Sequence, residues 1–518
     1  MNANILLGLS PLLIVAVGAL VLMVVEALSR FRDERLESPS ASLAVSSSVV
    51  LFASAIAAAG VWFYGPENLP EVSSLAPWLL LDRFSLFFFV ILTLGGALSC
   101  LLAGGYLPEH KLDRGEFYPL LLLSTVGAMT LAAAGDMLTI FLGLEAMSLG
   151  VYTMVAFRRG SPRSIEAALK YFLLGSFAAA LLLYGGALLY GATGHTDLSG
   201  IGSQLANTGL RLVKSDSEVP SDMLLIAYDN AVPLVMVGLV LILVGLAFKV
   251  SAVPFHMWTP DAYEGAPTPA TTYMAVVVKA AAFALMLRVL LIAFADAKTA
   301  SWGTGWPPVV AGLAVATMTV ANVIAVRQES VKRMLAYSSI AHAGTLLIAV
   351  VAATKATQQA EASMIYYLLA YTVSTAGAFG TLILCGSRGA EAVSYEDLAG
   401  LGRRHPAIAF AFSLFLLSLA GVPPLAGFFG KFYLFRVAID NGFTMLAVLG
   451  LLNSVIAAYY YLRVLVVMYM KEPEPGAPIA VPMRSGYVAA ALLISAVLVV
   501  LLGLLPNGTL EAAILAAG

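Results

Sequence analysis

This sequence is poor in charge. Asp, Glu, Lys and Arg make up 11% of its 518 residues, against about 25% in an ordinary soluble domain. With 28 Lys+Arg and 30 Asp+Glu beside a hydrophobic content of 60%, a chain of this length cannot coat a water-facing surface, which excludes a soluble fold. Cysteine is nearly absent. Cys100 and Cys385 lie far apart in apolar stretches with no C-x-x-C, which leaves no framework for an iron-sulfur cluster or a structural zinc. There is no G-x-G-x-x-G and no G-x-x-x-x-G-K-[ST] to cradle a dinucleotide or a nucleoside triphosphate. The net charge of -2 carries no basic tract, which excludes nucleic acid as a partner. The chain is therefore expected to work without a cofactor or metal of its own.

What is there is apolar sequence in span-length pieces. About 20 apolar residues cross a hydrocarbon core of about 30 Å, and fourteen such segments are expected near 4–28, 41–64, 83–105, 117–134, 136–157, 164–192, 232–254, 268–295, 307–326, 331–353, 361–386, 406–438, 443–469 and 485–505. The first begins almost at Met1 without a basic flank, so it reads as a retained span. Loops after odd-numbered spans hold sixteen Lys/Arg, among them Arg30, Arg32, Arg35, Lys111, Arg158, Lys332, Arg388 and Arg403; loops after even-numbered spans hold only Arg211, Lys214, Lys298 and Lys355. That asymmetry puts the odd loops in the cytoplasm and both termini on the outer side of the membrane.

The chain also repeats itself. EAALKYFLL at 166–174 returns as EASMIYYLL at 361–369, opening the sixth and the eleventh span. Each following span carries proline beside a lysine: FKVSAVPFHMW contains Lys249 and Pro254, and GVPPLAGFFGKFYLF contains Pro423, Pro424 and Lys431. A shift of five spans reverses orientation, so the expected architecture is all-α and polytopic, with two inverted five-helix repeats whose helices 7 and 12 are broken by proline. The segments would be 1–105 (helices 1–3), 106–300 (helices 4–8), 301–470 (helices 9–13) and 471–518 (helix 14). A broken helix is tolerated at membrane depth only where its backbone is buried in protein or lines a wet cavity.

Charges at that depth cost at least about 2.5 kcal/mol each and call for a function. Glu145 is the one carboxylate well inside a span, and Lys249, Lys279 and Lys431 form a lysine series. Lysine suits a relay because burial moves its proton affinity, whereas arginine stays protonated. The competing readings are a static buried ion pair for Glu145 and snorkelling for the lysines. His342, in VKRMLAYSSIAHAG, is either a relay between lysines or a ring satisfied by nearby Ser and Tyr hydroxyls. His256, at the seventh-span break, serves proton uptake or anchors a loop. Lys170 either connects an uptake path to Glu145 or snorkels to the cytoplasmic face.

The words FKVSAVPFHMWTPDAYEGAPTP, VKRMLAYSSIAHAG and GVPPLAGFFGKFYLF closely resemble the antiporter-like membrane subunits of respiratory complex I, the proton-pumping NADH-quinone oxidoreductase, and the likeness covers nearly the whole chain. The resemblance implies a bacterial inner-membrane pump module in which Glu145 and Lys249 form a coupling pair, Lys279 is the central lysine and Lys431 serves the exit half-channel. It further implies that NADH, FMN, iron-sulfur clusters and quinone belong to partner subunits, and that this chain meets only those subunits, lipid and protons. Two alternatives stand beside it: a cation/proton antiporter or membrane hydrogenase subunit of the same superfamily, and a structural subunit whose buried charges are inert.

Overall fold

A membrane interior offers the backbone no water to bond, so a chain this apolar satisfies its amides within helices. The computed structural model describes residues 3–32, 39–211, 221–355, 357–386, 389–473 and 480–518, and among these it is helical throughout, with no strand beyond isolated bridges. Of the loop basics counted above, Arg35, Lys214 and Arg388 lie outside the described residues. Eleven helices are long and apolar enough to cross a membrane, and three shorter apolar helices occupy Phe117–Ala133, Pro233–Lys249 and Pro406–Ala420. Together they fall on the fourteen expected spans.

The first half comprises α1 (Ala3–Arg32), α2 (Pro39–Tyr64), α3 (Arg83–Glu109), α4 (Phe117–Ala133), α5 (Met137–Val155), α6 (Pro162–Thr193), α7 (Leu198–Arg211), α8 (Ser221–Lys249), α9 (Trp258–Gly265), α10 (Thr268–Tyr273) and α11 (Lys279–Arg288). The second comprises α12 (Pro307–Val326), α13 (Val331–Ala352), α14 (Thr357–Cys385), α15 (Leu401–Arg404), α16 (Pro406–Ala420), α17 (Ala426–Asp440), α18 (Thr444–Met470), α19 (Gly486–Leu504) and α20 (Pro506–Ala517). Helix starts are written in the sequence. Asp82, Asp136 and Ser330 accept from the backbone amides of Ser85, Leu138 and Arg333 at 2.8, 2.8 and 3.2 Å, each satisfying a donor the first turn would otherwise leave bare.

Both proline breaks are present. The seventh span stops at Lys249 and resumes as α9 at Trp258; the twelfth stops at Ala420 and resumes as α17 at Ala426. The freed groups find partners: Trp258 Nε1 donates to the Phe248 carbonyl at 3.2 Å, and the Val253 amide donates to Thr317 Oγ1 at 2.9 Å. The eighth span departs from expectation. Instead of one regular helix over 268–295, π-helical turns at Met274–Val278 and Val289–Ala293 bracket α11 and place Lys279 directly after the first. Such turns re-aim the side chains that follow them.

Helices meet where side chains are small, because lipid gives no hydrophobic drive between them. Gly127 of α4 faces α5 so closely that a Cβ would lie 2.3 Å from the Met147 backbone nitrogen. The core of the bundle is α14, packed by α3, α13, α16, α17, α19 and α20. It, α10–α11 and α13 are buried along nearly their whole length, whereas α1, α2, α5, α6 and α18 turn Val21, Ile56, Leu142, Leu173 and Val455 outward. The helices carrying Lys279 and His342 are thus, with α14, the most enclosed spans among the described residues.

Candidate functional site

Each of the three mid-membrane lysines is buried: Lys249 is 3% exposed, Lys279 2% and Lys431 8%. An amine snorkelling to an interface would leave its tip in water, so that reading does not hold for any of them. None makes an ion pair among the described residues. Each amine instead donates to neutral oxygens on a neighbouring helix or helix end.

Lys249 closes α8 at the break and donates to Ser148 Oγ of α5 at 2.8 Å, with the Tyr152 ring 5.9 Å away. Glu145, one turn before Ser148 on α5, is half-buried beside the outward-facing Leu142 and Leu149. Ser148 is thus the group of α5 in contact with the amine, and no ion pair joins Glu145 to Lys249 among the described residues. Lys279 donates to both the backbone carbonyl and the hydroxyl of Ser339 on α13. Tyr371 of α14 donates to the same hydroxyl at 2.9 Å and lays its ring 5.5 Å from the amine. From Tyr152 a row of aromatics continues: Tyr152 meets Tyr171 edge-on at 4.8 Å, and Tyr171 stacks on Trp258 at 4.2 Å.

His342 lies three residues beyond Ser339 on α13. Its Nδ1 is 2.5 Å from the Tyr367 hydroxyl and its Nε2 3.0 Å from the Tyr461 hydroxyl, which also bonds Ser338. Both readings of His342 therefore have a footing, since Ser and Tyr hydroxyls satisfy the ring while its position sets it between lysines. His342 and Lys431 line two small cavities in common. One adds Asn322, Thr345, Asn453 and Tyr460; the other adds Tyr367, Tyr371, Ser374 and Ser418. Each holds about 10 Å³, close to the space one water needs in a polar setting. Lys431 donates to the Ala420 carbonyl at 2.9 Å, the last residue of α16 before the break. The proline break and the lysine thus serve one another: the break frees an acceptor at depth and the amine takes it.

The remaining candidates are not drawn into this row. His256 is half-buried at the seventh-span break, and its Nδ1 has no hydrogen-bond partner among the described residues. Lys170 lies at the Lys/Arg-rich end in a surface network with Glu166 at 2.7 Å and Asp261 at 2.9 Å, where Arg333 also pairs with Asp261 at 3.1 Å. It makes no contact with Glu145.

A second polar cluster, which the sequence reading missed, sits at the same end. Glu391 accepts from Thr268 Oγ1 at 2.8 Å, Lys332 Nζ at 3.1 Å and Arg158 at 3.3 Å, and it bonds the Tyr106 hydroxyl. Burial alone would raise its carboxyl, but Lys332 and Arg158 outweigh that and hold it down at about 2. Lys332, 1% exposed, also donates to the Ala266 carbonyl at 2.8 Å. His110 stacks on Tyr106 at 4.0 Å, and burial lowers its proton affinity. Glu391 therefore ties the start of α10, which leads to Lys279, to the start of α13, which carries Ser339 and His342. No periodicity or spacing announces a loop glutamate with partners so far apart in sequence.

Residues 134–457 match the family described as the transmembrane NADH:quinone oxidoreductase/Mrp antiporter family. The chain belongs to this family. Over 511 residues, covering 98% of this chain and 97% of the relative, it is 64% identical to NADH-quinone oxidoreductase subunit N 1 of Sorangium cellulosum. Its structure is similar to a chain of respiratory complex I from Thermus thermophilus with bound aureothin, at a TM-score of 0.76 and 34% identity, covering 98% of this chain and all of that one. The fold is shared as well with a chain of the Mrp complex from Dietzia, at a TM-score of 0.78, 22% identity and coverage of 100% and 97%. For this member of the NADH:quinone oxidoreductase/Mrp antiporter family, the lysine row and both helix breaks fall inside the matched residues.

Proposed function

We propose that this chain is a proton-translocating membrane-arm subunit of a bacterial NADH-quinone oxidoreductase, coupling electron transfer in partner subunits to proton movement through Glu145, Lys249, Lys279, His342 and Lys431. The observation that carries the reading is the set of three buried lysine amines, none ion-paired among the described residues, each held by a hydroxyl or a backbone carbonyl at membrane depth. A permanently charged, unpaired ammonium there is costly. An amine that gains and loses a proton as neighbouring charge changes meets that cost only transiently.

In this account 106–300 and 301–470 are the two inverted units, with 1–105 and 471–518 flanking them. Glu145 sets the charge felt by Lys249 across Ser148. Lys279 receives the proton at the centre, His342 passes it between paired hydroxyls and the two small cavities, and Lys431 takes it at the second break. Any change in the Glu145–Lys249 spacing alters the field on Lys249 and hence its readiness to release a proton. His256 stands at the uptake side, while Lys170 belongs to the surface ion-pair network. FMN, iron-sulfur clusters and quinone reside in partner subunits of the complex. The chain sits in the bacterial inner membrane with both termini on its outer side and the Lys/Arg-rich end in the cytoplasm.

The experiment is to affinity-purify the chain from its native membrane in mild detergent and record flavin and iron-sulfur spectra together with NADH oxidation. Redox centres in fixed ratio to the chain are expected. A chain emerging without them, and giving sodium-dependent pH jumps in vesicles, would instead establish the cation/proton antiporter of the same superfamily.

A further inference from the structure

The repeated word EAALKYFLL/EASMIYYLL places a glutamate at the start of α6 and another at the start of α14, at opposite ends of the bundle. In α6, Glu166 pairs at 2.7 Å with Lys170 one turn on, and Lys170 pairs in turn with Asp261. In α14 the residue matching Lys170 is Ile365, so Glu361 lacks the basic neighbour its counterpart has.

Glu361 lies in the wall of a cavity of about 770 Å³ at the end opposite the Lys/Arg-rich loops. The other charged groups of that cavity are matched in pairs. Arg288 donates to Asp82 at 2.7 Å and to the Ala132 carbonyl at 2.7 Å, and Arg83 donates to Glu67 at 2.8 Å. With both guanidinium groups bonded to their own carboxylates, Glu361 is the acidic side chain of the cavity left without an ion pair among the described residues.

The two walls lead back to the relay. Arg288 ends the helix that begins at Lys279, about 13 Å away along its axis. Glu361 opens the helix that carries Tyr367 and Tyr371, the partners of His342 and Ser339. Along these helices most intervening side chains are buried and apolar, Phe283, Met364, Ile365 and Leu368 among them, with the hydroxyls of Ser363 and Tyr366 as exceptions. They form a largely apolar septum between the lysine layer and the cavity.

We propose that this cavity is the outer release vestibule of the relay and that Glu361 is the group through which outgoing protons reach bulk water. The inference rests on the relay reading above. A relay ammonium gives up its proton through water that enters the septum, the Glu361 carboxylate becomes a carboxylic acid, and it then releases the proton to vestibule water and returns to the carboxylate. Asp82, Arg83, Arg288, Glu67 and Gly518 share the cavity wall with it. Because Asp82 and Glu67 are already engaged, neither substitutes for it.

The test uses the intact complex in liposomes, with the proton-to-electron ratio during NADH oxidation followed as the outer-side pH is varied. Glu361→Gln removes the titrating group. Ile365→Lys supplies the partner that α6 has and holds the carboxylate ionised, and Glu361→Asp keeps the chemistry. Both Glu361→Gln and Ile365→Lys are expected to lower the ratio and to flatten its dependence on outer pH, with Glu361→Asp close to the wild type. A wild-type ratio and pH profile in Glu361→Gln, beside a non-pumping Lys279→Ala control, overturns the proposal and leaves the relay intact. Equal loss in Glu361→Gln and Glu361→Asp, with normal pumping in Ile365→Lys, assigns Glu361 a structural role and also overturns it. Normal pumping by the Lys279→Ala control overturns the relay reading and this proposal with it.

Discussion

Ser339 holds Lys279 twice, presenting its own backbone carbonyl and its hydroxyl to the same amine. The helix that carries His342 is thereby fixed against the helix that carries the central lysine, and Tyr371 adds a third helix through the shared hydroxyl. Ser339→Ala keeps the carbonyl and removes the hydroxyl. Coupled turnover is expected to fall by about three- to tenfold, in line with the loss of about 1 kcal/mol from one hydrogen bond, with Tyr371→Phe giving a smaller loss. Wild-type turnover in both variants would show that this contact does not serve the relay.

Ser148 and Glu145 lie one turn apart on α5, yet the structure separates their effects. Ser148 is the group bonded to Lys249, so Ser148→Ala strips a buried amine of its acceptor and is expected to cost about 1–3 kcal/mol of stability. Glu145 is half-buried and is not the group bonded to Lys249, so Glu145→Gln is expected to reduce pumping with little change in thermal midpoint. Thermal unfolding in detergent beside proton-pumping assays separates the two; equal destabilisation by both would refute the division.

At the Lys/Arg-rich end, Glu391 supplies a pH dependence whose sign follows from its depressed carboxyl. A group held at about 2 in the folded chain, against about 4.3 when unfolded, contributes stability that is fully present above the unfolded value. That contribution is lost as the pH falls from about 4 towards 2. Glu391→Gln is therefore expected to lower stability at neutral pH by about 3 kcal/mol. The gap to the wild type should close in that acid window. A gap that persists unchanged at the acid limit would place the effect in packing instead of charge.

Gly127 tests the packing of the first unit. A methyl group there meets the Met147 backbone at 2.3 Å, and backbone cannot swing aside as a flexible side chain would. Gly127→Ala is expected to push α5 from α4 and destabilise the chain by about 1–3 kcal/mol. It should also loosen the Lys249–Ser148 contact, since Ser148 follows Met147. Thermal unfolding at wild-type temperature would show that the two helices separate at no cost.

Much of this arrangement was written in the sequence as cost. Apolar runs of span length place the helices because a membrane leaves the backbone no other solution, and Lys249, Lys279 and Lys431 stand out because charge is dear at depth. Proline beside two of those lysines marks both helix breaks. The hydroxyls that hold the amines did not stand out: Ser148, Ser339, Tyr367, Tyr371 and Tyr461 are ordinary residues of buried helices, and only the fold brings them to a lysine or a histidine. The π-helical turn before Lys279 was equally silent, since MAVVV carries no feature that separates it from a regular helix. Glu391 was missed for a third reason: it lies in a loop, where a carboxylate is inexpensive and draws no notice until Arg158, Thr268 and Lys332 converge on it.

Lys279 is where the account is most exposed. The decisive measurement is the proton-to-electron ratio of the intact complex carrying Lys279→Ala, taken during NADH oxidation in sealed liposomes beside the wild type. Coupled turnover is expected to collapse, or the ratio to fall, because no other group among the described residues occupies that point between Ser339 and Tyr371. Normal turnover with an unchanged ratio would contradict it and return the buried lysines to a structural role.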